Sequence, residues 1–124
     1  MNKVAIQIVG LVTLFTMGIS YSLATEVDPS ANEASVLEQG KQLVFDRKKG
    51  NCLACHAISG GELMGNLGPE LVNMKGRYPD KRILKDQIWD ATKQNPATSM
   101  PPFGRHRMLT DEEINKVVEY IYSL

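Results

Sequence analysis

Cys52-Leu53-Ala54-Cys55-His56 is the segment of this chain best equipped for chemistry. Two thiols separated by two residues, with an imidazole directly after the second, form the attachment sequence of a c-type haem. The spacing has a chemical reason. The thiols must reach two vinyl groups on one edge of a porphyrin, and the next residue must bring its imidazole beneath the iron. On this reading Cys52 and Cys55 form thioether bonds and His56 is the proximal ligand. Three other readings compete. A redox dithiol needs a neighbouring strand–helix pattern and has no use for the histidine. A zinc site needs a fourth ligand and usually more thiols, whereas this chain has 2 cysteines in all. A disulfide between such close cysteines rarely organises a fold. One motif implies one haem c per chain, and no further thiol remains as a nucleophile.

A haem that carries electrons generally takes a second protein ligand, and a histidine/methionine pair raises its potential. The candidates are Met64, Met74, Met100, Met108 and His106. Met100 is preferred. It lies in Asn95-Pro96-Ala97-Thr98-Ser99-Met100-Pro101-Pro102-Phe103-Gly104, where prolines fix the backbone just ahead of the last helix. Such a loop can be held across the open face of a haem, whereas Met64 and Met74 lie too near the proximal side. Single methionines are ordinarily core filler, and Met108 beside Leu109 reads that way. His106, between Arg105 and Arg107, reads first as part of a solvated basic loop and second as a rival ligand giving bis-histidine coordination. Gly68-Pro69 is a turn dipeptide in its own right. Its functional reading is that Pro69 offers its carbonyl to the other nitrogen of His56, fixing the ring. Trp89 has two equal readings, packing on the haem edge or ordinary packing.

The elements that must position these residues are helical. Thr110-Asp111-Glu112-Glu113 has the form of a capping box, and Ile114, Val117, Val118 and Ile121 follow as a buried stripe. Ser35-Val36-Leu37-Glu38 has the same form, ahead of an apolar face of Val36, Leu37, Gly40, Leu43 and Val44. A mid-helix glycine costs roughly 1 kcal/mol relative to alanine, so Gly40 calls for a packing reason. A middle helix is predicted from about Asp80 to Gln94, with Ile83, Leu84, Ile88 and Ala91 on its apolar face and Asn95-Pro96 as its stop. The stretches 60–69 and 96–104 are rich in glycine and proline and do not alternate like strands. The expected fold class is all-α, three to four helices with long loops around one covalently bound haem that gives those loops a surface to pack on.

The 124 residues allow one core, and 14 basic against 14 acidic side chains give no field that favours nucleic acid. The N-terminus differs in kind. Lys3, an apolar run from Val4 to Ile19 and the small-residue site Ser22-Leu23-Ala24 make a secretory signal. Residues 1–24 are therefore expected to be a cleaved signal peptide, 25–34 a flexible leader and 35–124 the haem domain. The other reading is a retained anchor, but the run is short and diluted for a spanning helix. Cleavage removes Lys3 and no acid, so the mature chain carries a net negative charge before any cofactor. The expected compartment is the oxidising periplasm, with no stable membrane span after cleavage. Arg47-Lys48-Lys49 precedes the haem motif and Arg105-His106-Arg107 follows the ligand loop. Both clusters are expected to border the haem, either as a docking collar for a negatively charged partner or as solvated loops.

Taken together, Gly50-Asn51-Cys52-Leu53-Ala54-Cys55-His56, Gly65-Asn66-Leu67-Gly68-Pro69-Glu70-Leu71 and the segment Asn95 to Phe103 resemble the SoxX subunit of the SoxAX sulfur-oxidation cytochromes. The resemblance spans about residues 36–124, and the Asn-Pro-x-Thr-x-Met-Pro-x-Phe segment followed by Leu-Thr-Asp-Glu-Glu-Ile is its discriminating part. It implies a class I cytochrome c fold, axial ligands His56 and Met100, and first and last helices packed closely at Gly40. It also implies a SoxA-like c-type cytochrome partner that holds the catalytic haem, a SoxYZ-like carrier protein and a downstream acceptor cytochrome. The complex joins thiosulfate oxidatively to a carrier cysteine, and this subunit, with no catalytic residue of its own, accepts electrons. A free-standing cytochrome c feeding a terminal oxidase or other respiratory partner is the alternative reading.

Overall fold

The computed structural model describes residues 29–124, so the expected signal peptide and the first part of the leader lie outside it. Helix α1 runs from Pro29 to Phe45, α2 from Met74 to Arg77, α3 from Lys81 to Trp89 and α4 from Asp111 to Tyr122. Short 3₁₀ turns at Cys52–Ala54 and Ala91–Lys93 complete the order. Among the described residues there is no strand, and no helix is long and apolar enough to cross a membrane.

The centre of the fold is the crossing of α1 and α4. Val44, Ile114, Val117 and Ile121 are buried there, and the Phe45 ring meets Tyr120 edge to face at 6.1 Å. Gly40 permits the approach. A Cβ at this position would collide with the Lys116 carbonyl oxygen and lie 2.8 Å from Tyr120 Cβ. The expected capping box of α4 forms in both directions. The Glu113 N–H donates to Thr110 Oγ1 at 3.2 Å, and the Thr110 N–H donates to Glu113 Oε2 at 2.8 Å.

Two helix boundaries differ from expectation. Helix α1 begins at Pro29, inside the segment read as a leader, and Ser35 lies within it rather than at its cap. Pro29 suits a first turn, where its missing N–H loses no bond, and the Ser35 hydroxyl accepts instead from Gln39 Nε2 at 2.9 Å. The middle helix ends at Trp89, short of Gln94. Asp90 leaves helical geometry at φ −156° and caps the following 3₁₀ turn by accepting from the Thr92 N–H. Leu84 and Ile88 are buried by α3 as expected, but Ile83 lies 52% exposed on its outer side. Helix α2 is additional, too short for periodicity to reveal. Its Met74 N–H donates to the Leu124 carbonyl at 3.3 Å, tying the end of the chain to the core.

Three carboxyls are held below the usual carboxylate range. The causes are the Arg82 guanidinium on Asp80, the Thr92 hydroxyl on Asp90 and the Lys49 ammonium on Glu113. Since the folded values are depressed, their stabilisation is complete above the ordinary values of 3.8 and 4.5 and is lost as pH falls through the lower folded ones. The denaturant midpoint is therefore expected to be level from neutrality to about pH 5 and to decline below about pH 4. A level midpoint down to about pH 3 would show that these contacts contribute nothing.

Candidate haem site

The attachment motif is built as one tight turn. Asn51 sits in the left-handed region at φ 49°, the chain then coils through Cys52–Ala54, and the His56 N–H donates to the Cys52 carbonyl at 2.9 Å. One turn of separation brings Cys52, Cys55 and His56 to the same cavity. The loop after the motif folds back over it. Gly65, Gly68 and Leu71 donate their N–H groups to the carbonyls of Leu53, Cys55 and Ala57 at 2.7, 2.8 and 2.9 Å. The glycine-rich stretch is thereby a fixed brace along the motif.

That brace orients the imidazole. His56 Nδ1 lies 2.7 Å from the Pro69 carbonyl oxygen. A carbonyl can only accept, so Nδ1 carries the proton and the lone pair is left on Nε2. Gly68 lies flat against the ring, where a Cβ would come within 2.7 Å of Nδ1 and strike Cε1. Any side chain at position 68 would push the imidazole out of place.

The cavity has a volume of about 620 Å³, within the range of sites that enclose a cofactor. Leu84, Ile88, Val117 and Ile121 from α3 and α4 form an apolar wall, with Phe103, Leu109 and the buried Met74 beside them. The motif supplies Cys52, Cys55 and His56, and the proline-rich loop supplies Met100. The Met100 sulfur lies 3.9 Å from the Gln87 side-chain nitrogen, a weak N–H donor contact that the sequence did not signal. Burial pushes the Cys52 thiol up to about 11, its own backbone hydrogen bond offsets part of the rise, and the neighbouring Cys55 adds to it. Among the described residues no three His, Cys, Asp or Glu side chains gather as a metal set. Two thiols, one imidazole lone pair and the thioethers of Met74, Met100 and Met108 line the cavity, a donor set suited to haem, which when bound supplies a one-electron iron couple.

Of the remaining candidates, Met74 is buried in the cavity wall, where its sulfur accepts from Arg77 Nη1 at 3.5 Å, and the others lie at the edge of the cavity or beyond it. Met64 is on the surface side of the brace, its sulfur accepting from the Ile58 N–H at 3.1 Å. Met108 is half-exposed at the cavity rim, so it is less a packing residue than expected. His106 is exposed and does not line the cavity. Trp89 does not line it either. The indole packs against Gly104 under the Lys93 ammonium, so of its two readings the structure gives ordinary packing. The basic clusters separate. Arg47, Lys48 and Lys49 border the cavity, although Lys49 is tied to Glu113 at 2.7 Å. Arg105, His106 and Arg107 do not border it, a correction to the expected collar, because Arg105 turns to the buried Asp90.

Residues 36–121 match the protein family described as "Cytochrome C oxidase, cbb3-type, subunit III". Two proteins named cytochrome c6, from Thermosynechococcus vestitus and Thermostichus vulcanus, are each 32% identical over 105 residues, covering 83% of this chain and 82% of theirs. An uncharacterized lipoprotein of Aquifex aeolicus is 37% identical over 77 residues, which is 61% of this chain. The chain spans only 37% of that relative's length. The matched region coincides with the helices that build the cavity, and on it rests the assignment: this chain belongs to the cytochrome c family, with the all-α class I fold, a covalently attached haem c and a role in electron transfer.

Proposed function

We propose that this chain is the electron-accepting subunit of a SoxAX-like complex, taking up electrons released when thiosulfate is joined to a carrier-protein cysteine. In this reading Cys52 and Cys55 form the thioethers, His56 and Met100 are the axial ligands, and Pro69 fixes the His56 ring. The observation that carries the coordination is the pairing of donors in one cavity, with His56 Nε2 left available by the Pro69 contact and Met100 brought in by its loop. The sulfur-oxidation role is supported by the segment Asn95 to Phe103 with the Leu-Thr-Asp-Glu-Glu-Ile that follows. Two cysteines in all leave none to serve as the iron ligand of a catalytic haem, consistent with an accepting subunit. Chemistry would then occur on a SoxA-like partner and a SoxYZ-like carrier, with electrons passing on to a downstream cytochrome.

Export to the periplasm belongs to the same reading, with residues 1–24 as the cleaved signal, a short leader after it and a haem domain that opens with α1 at Pro29. It is supported by the N-terminal pattern and by likeness to a protein named a lipoprotein.

Copurification from the native cell tests the complex. A second c-type cytochrome should accompany the chain through successive columns, whereas a monomer with no associated haem protein would end this reading. The alternative is a free-standing shuttle to a terminal oxidase or other respiratory partner, and the match to cytochrome c6 over most of both chains supports it. The axial pair has its own test. The ferric protein is expected to show the weak near-infrared sulfur-to-iron band, and Met100→Ala to abolish it. A band that survives Met100→Ala would remove Met100 from the iron.

A further inference from the structure

The loop that carries Met100 is closed on a single short segment at the end of α3. At its start, the Asn95 N–H donates to the Ala91 carbonyl at 3.1 Å. At its end, the N–H groups of Gly104 and Arg105 donate to the Trp89 carbonyl at 3.0 and 3.3 Å. Both ends thus meet the two carbonyls that flank Asp90. Asp90 itself is 4% exposed, the one charged side chain in the core among the described residues. One carboxylate oxygen, Oδ1, accepts from the Thr92 N–H at 3.1 Å and from the Thr92 hydroxyl. The other, Oδ2, receives the Arg105 Nε at 3.1 Å. Lys93 is the remaining charged group near it.

These contacts differ in kind. The backbone bonds and the Thr92 cap follow from how α3 ends, and they would hold the segment in place with any capping residue. The Arg105 contact is separate. It joins the exit of the loop to a carboxylate that is almost withdrawn from water, so losing the arginine leaves that oxygen without its charged partner. Arg105 is itself half-exposed.

We infer that the Asp90–Arg105 ion pair is the latch of the Met100 loop, a positioning device that sets how often the Met100 sulfur leaves its place in the cavity. This rests on the reading of Met100 as an axial ligand. While the latch holds, the loop is pinned at both ends and the sulfur returns at once after any excursion. With the latch open, only the backbone bonds close the exit, and an outside ligand has longer to enter. The pair controls exchange at the ligand position and has no part in attaching the haem.

Imidazole displacement in the haem-loaded ferric protein, followed by loss of the near-infrared sulfur-to-iron band, tests the latch. Asp90→Asn and Arg105→Gln should each retain the resting band and speed displacement about tenfold, the scale expected for losing one half-exposed ion pair to a buried carboxylate. The double variant should be no faster than the faster single one, since both remove the same contact. Glu119→Gln, which breaks the Lys81–Glu119 surface pair, should change the unfolding midpoint at most and leave displacement unaltered. Arg105→Gln keeps the test decisive should Asp90→Asn fold poorly. Rates within about twofold of wild type, or accelerations that merely track lost stability, overturn the latch. A wild-type protein without the band overturns the Met100 reading and the latch with it; a band present with unmoved rates overturns the latch alone.

Discussion

A chain carrying Cys52→Ala and Cys55→Ala together is expected to lose its cooperative fold. The cavity of about 620 Å³ is bounded by the buried core residues of α3 and α4, by the attachment turn and by the Met100 loop. These surfaces need a covalently held occupant. Without an occupant the apolar lining of this solvent-open cavity stands in water, a loss of a few kcal/mol that is a large share of the stability of a small domain, about 5–15 kcal/mol. The long loops would lose the surface they pack on, and α1 and α4 would be left as a two-helix contact too small to stand alone. Far-ultraviolet circular dichroism with a thermal melt would show reduced helix and no sharp transition. A haem-free double variant that melts cooperatively near the wild-type temperature would contradict this account.

The second large effect lies far from the iron. Gly40→Ala is expected to cost on the order of 3 kcal/mol, at the upper end of overpacking effects, because the added methyl meets helix backbone and not the tip of a flexible side chain. Lys116 cannot move its carbonyl without shifting α4, and a shift of α4 displaces Val117 and Ile121 from the cavity wall. For a domain of this size the loss corresponds to a fall in Tm of about 12 °C or more. Gly40→Val should be worse, adding a β-branched side chain at the same collision. Helix propensity alone predicts the opposite sign, since alanine is favoured over glycine by roughly 1 kcal/mol inside a helix. A stabilised Gly40→Ala variant would show that the two helices can part without consequence.

The sequence was most legible where a function could be read from neighbouring residues. The capping box at Thr110 and the stripe Ile114–Ile121 appear as expected because both are encoded within four residues or one periodic face. The Pro69 carbonyl on His56 was likewise within reach, thirteen residues apart, because a turn brings it back. The failures are of another type. Asp90-Ala91-Thr92 is itself a local cap signal, yet the apolar positions on either side suggested a helix running through it. The start of α1 is not legible because Ser35-Val36-Leu37-Glu38 has the form of a cap, although a proline farther upstream can open a helix equally well. The destination of Arg105 was not readable at all. Its partner is a buried carboxylate on another element, and nothing in the local sequence of Arg105-His106-Arg107 separates a solvated cluster from one committed inward. Gln87 beside the Met100 sulfur is a non-local contact of the same kind.

The crossing of α1 and α4 also governs how the chain finds its fold. Gly40 and Lys116 are joined across roughly 75 residues of chain, a closure whose entropy must be met before the contact returns anything. Non-local pairing of this sort slows folding. A haem attached at Cys52–His56 and captured by the Met100 loop would divide that long span into shorter ones, each cheaper to close. The cofactor would then act on the rate at which the two ends of the domain meet, and haem loading would be felt as faster folding as well as a higher melting temperature.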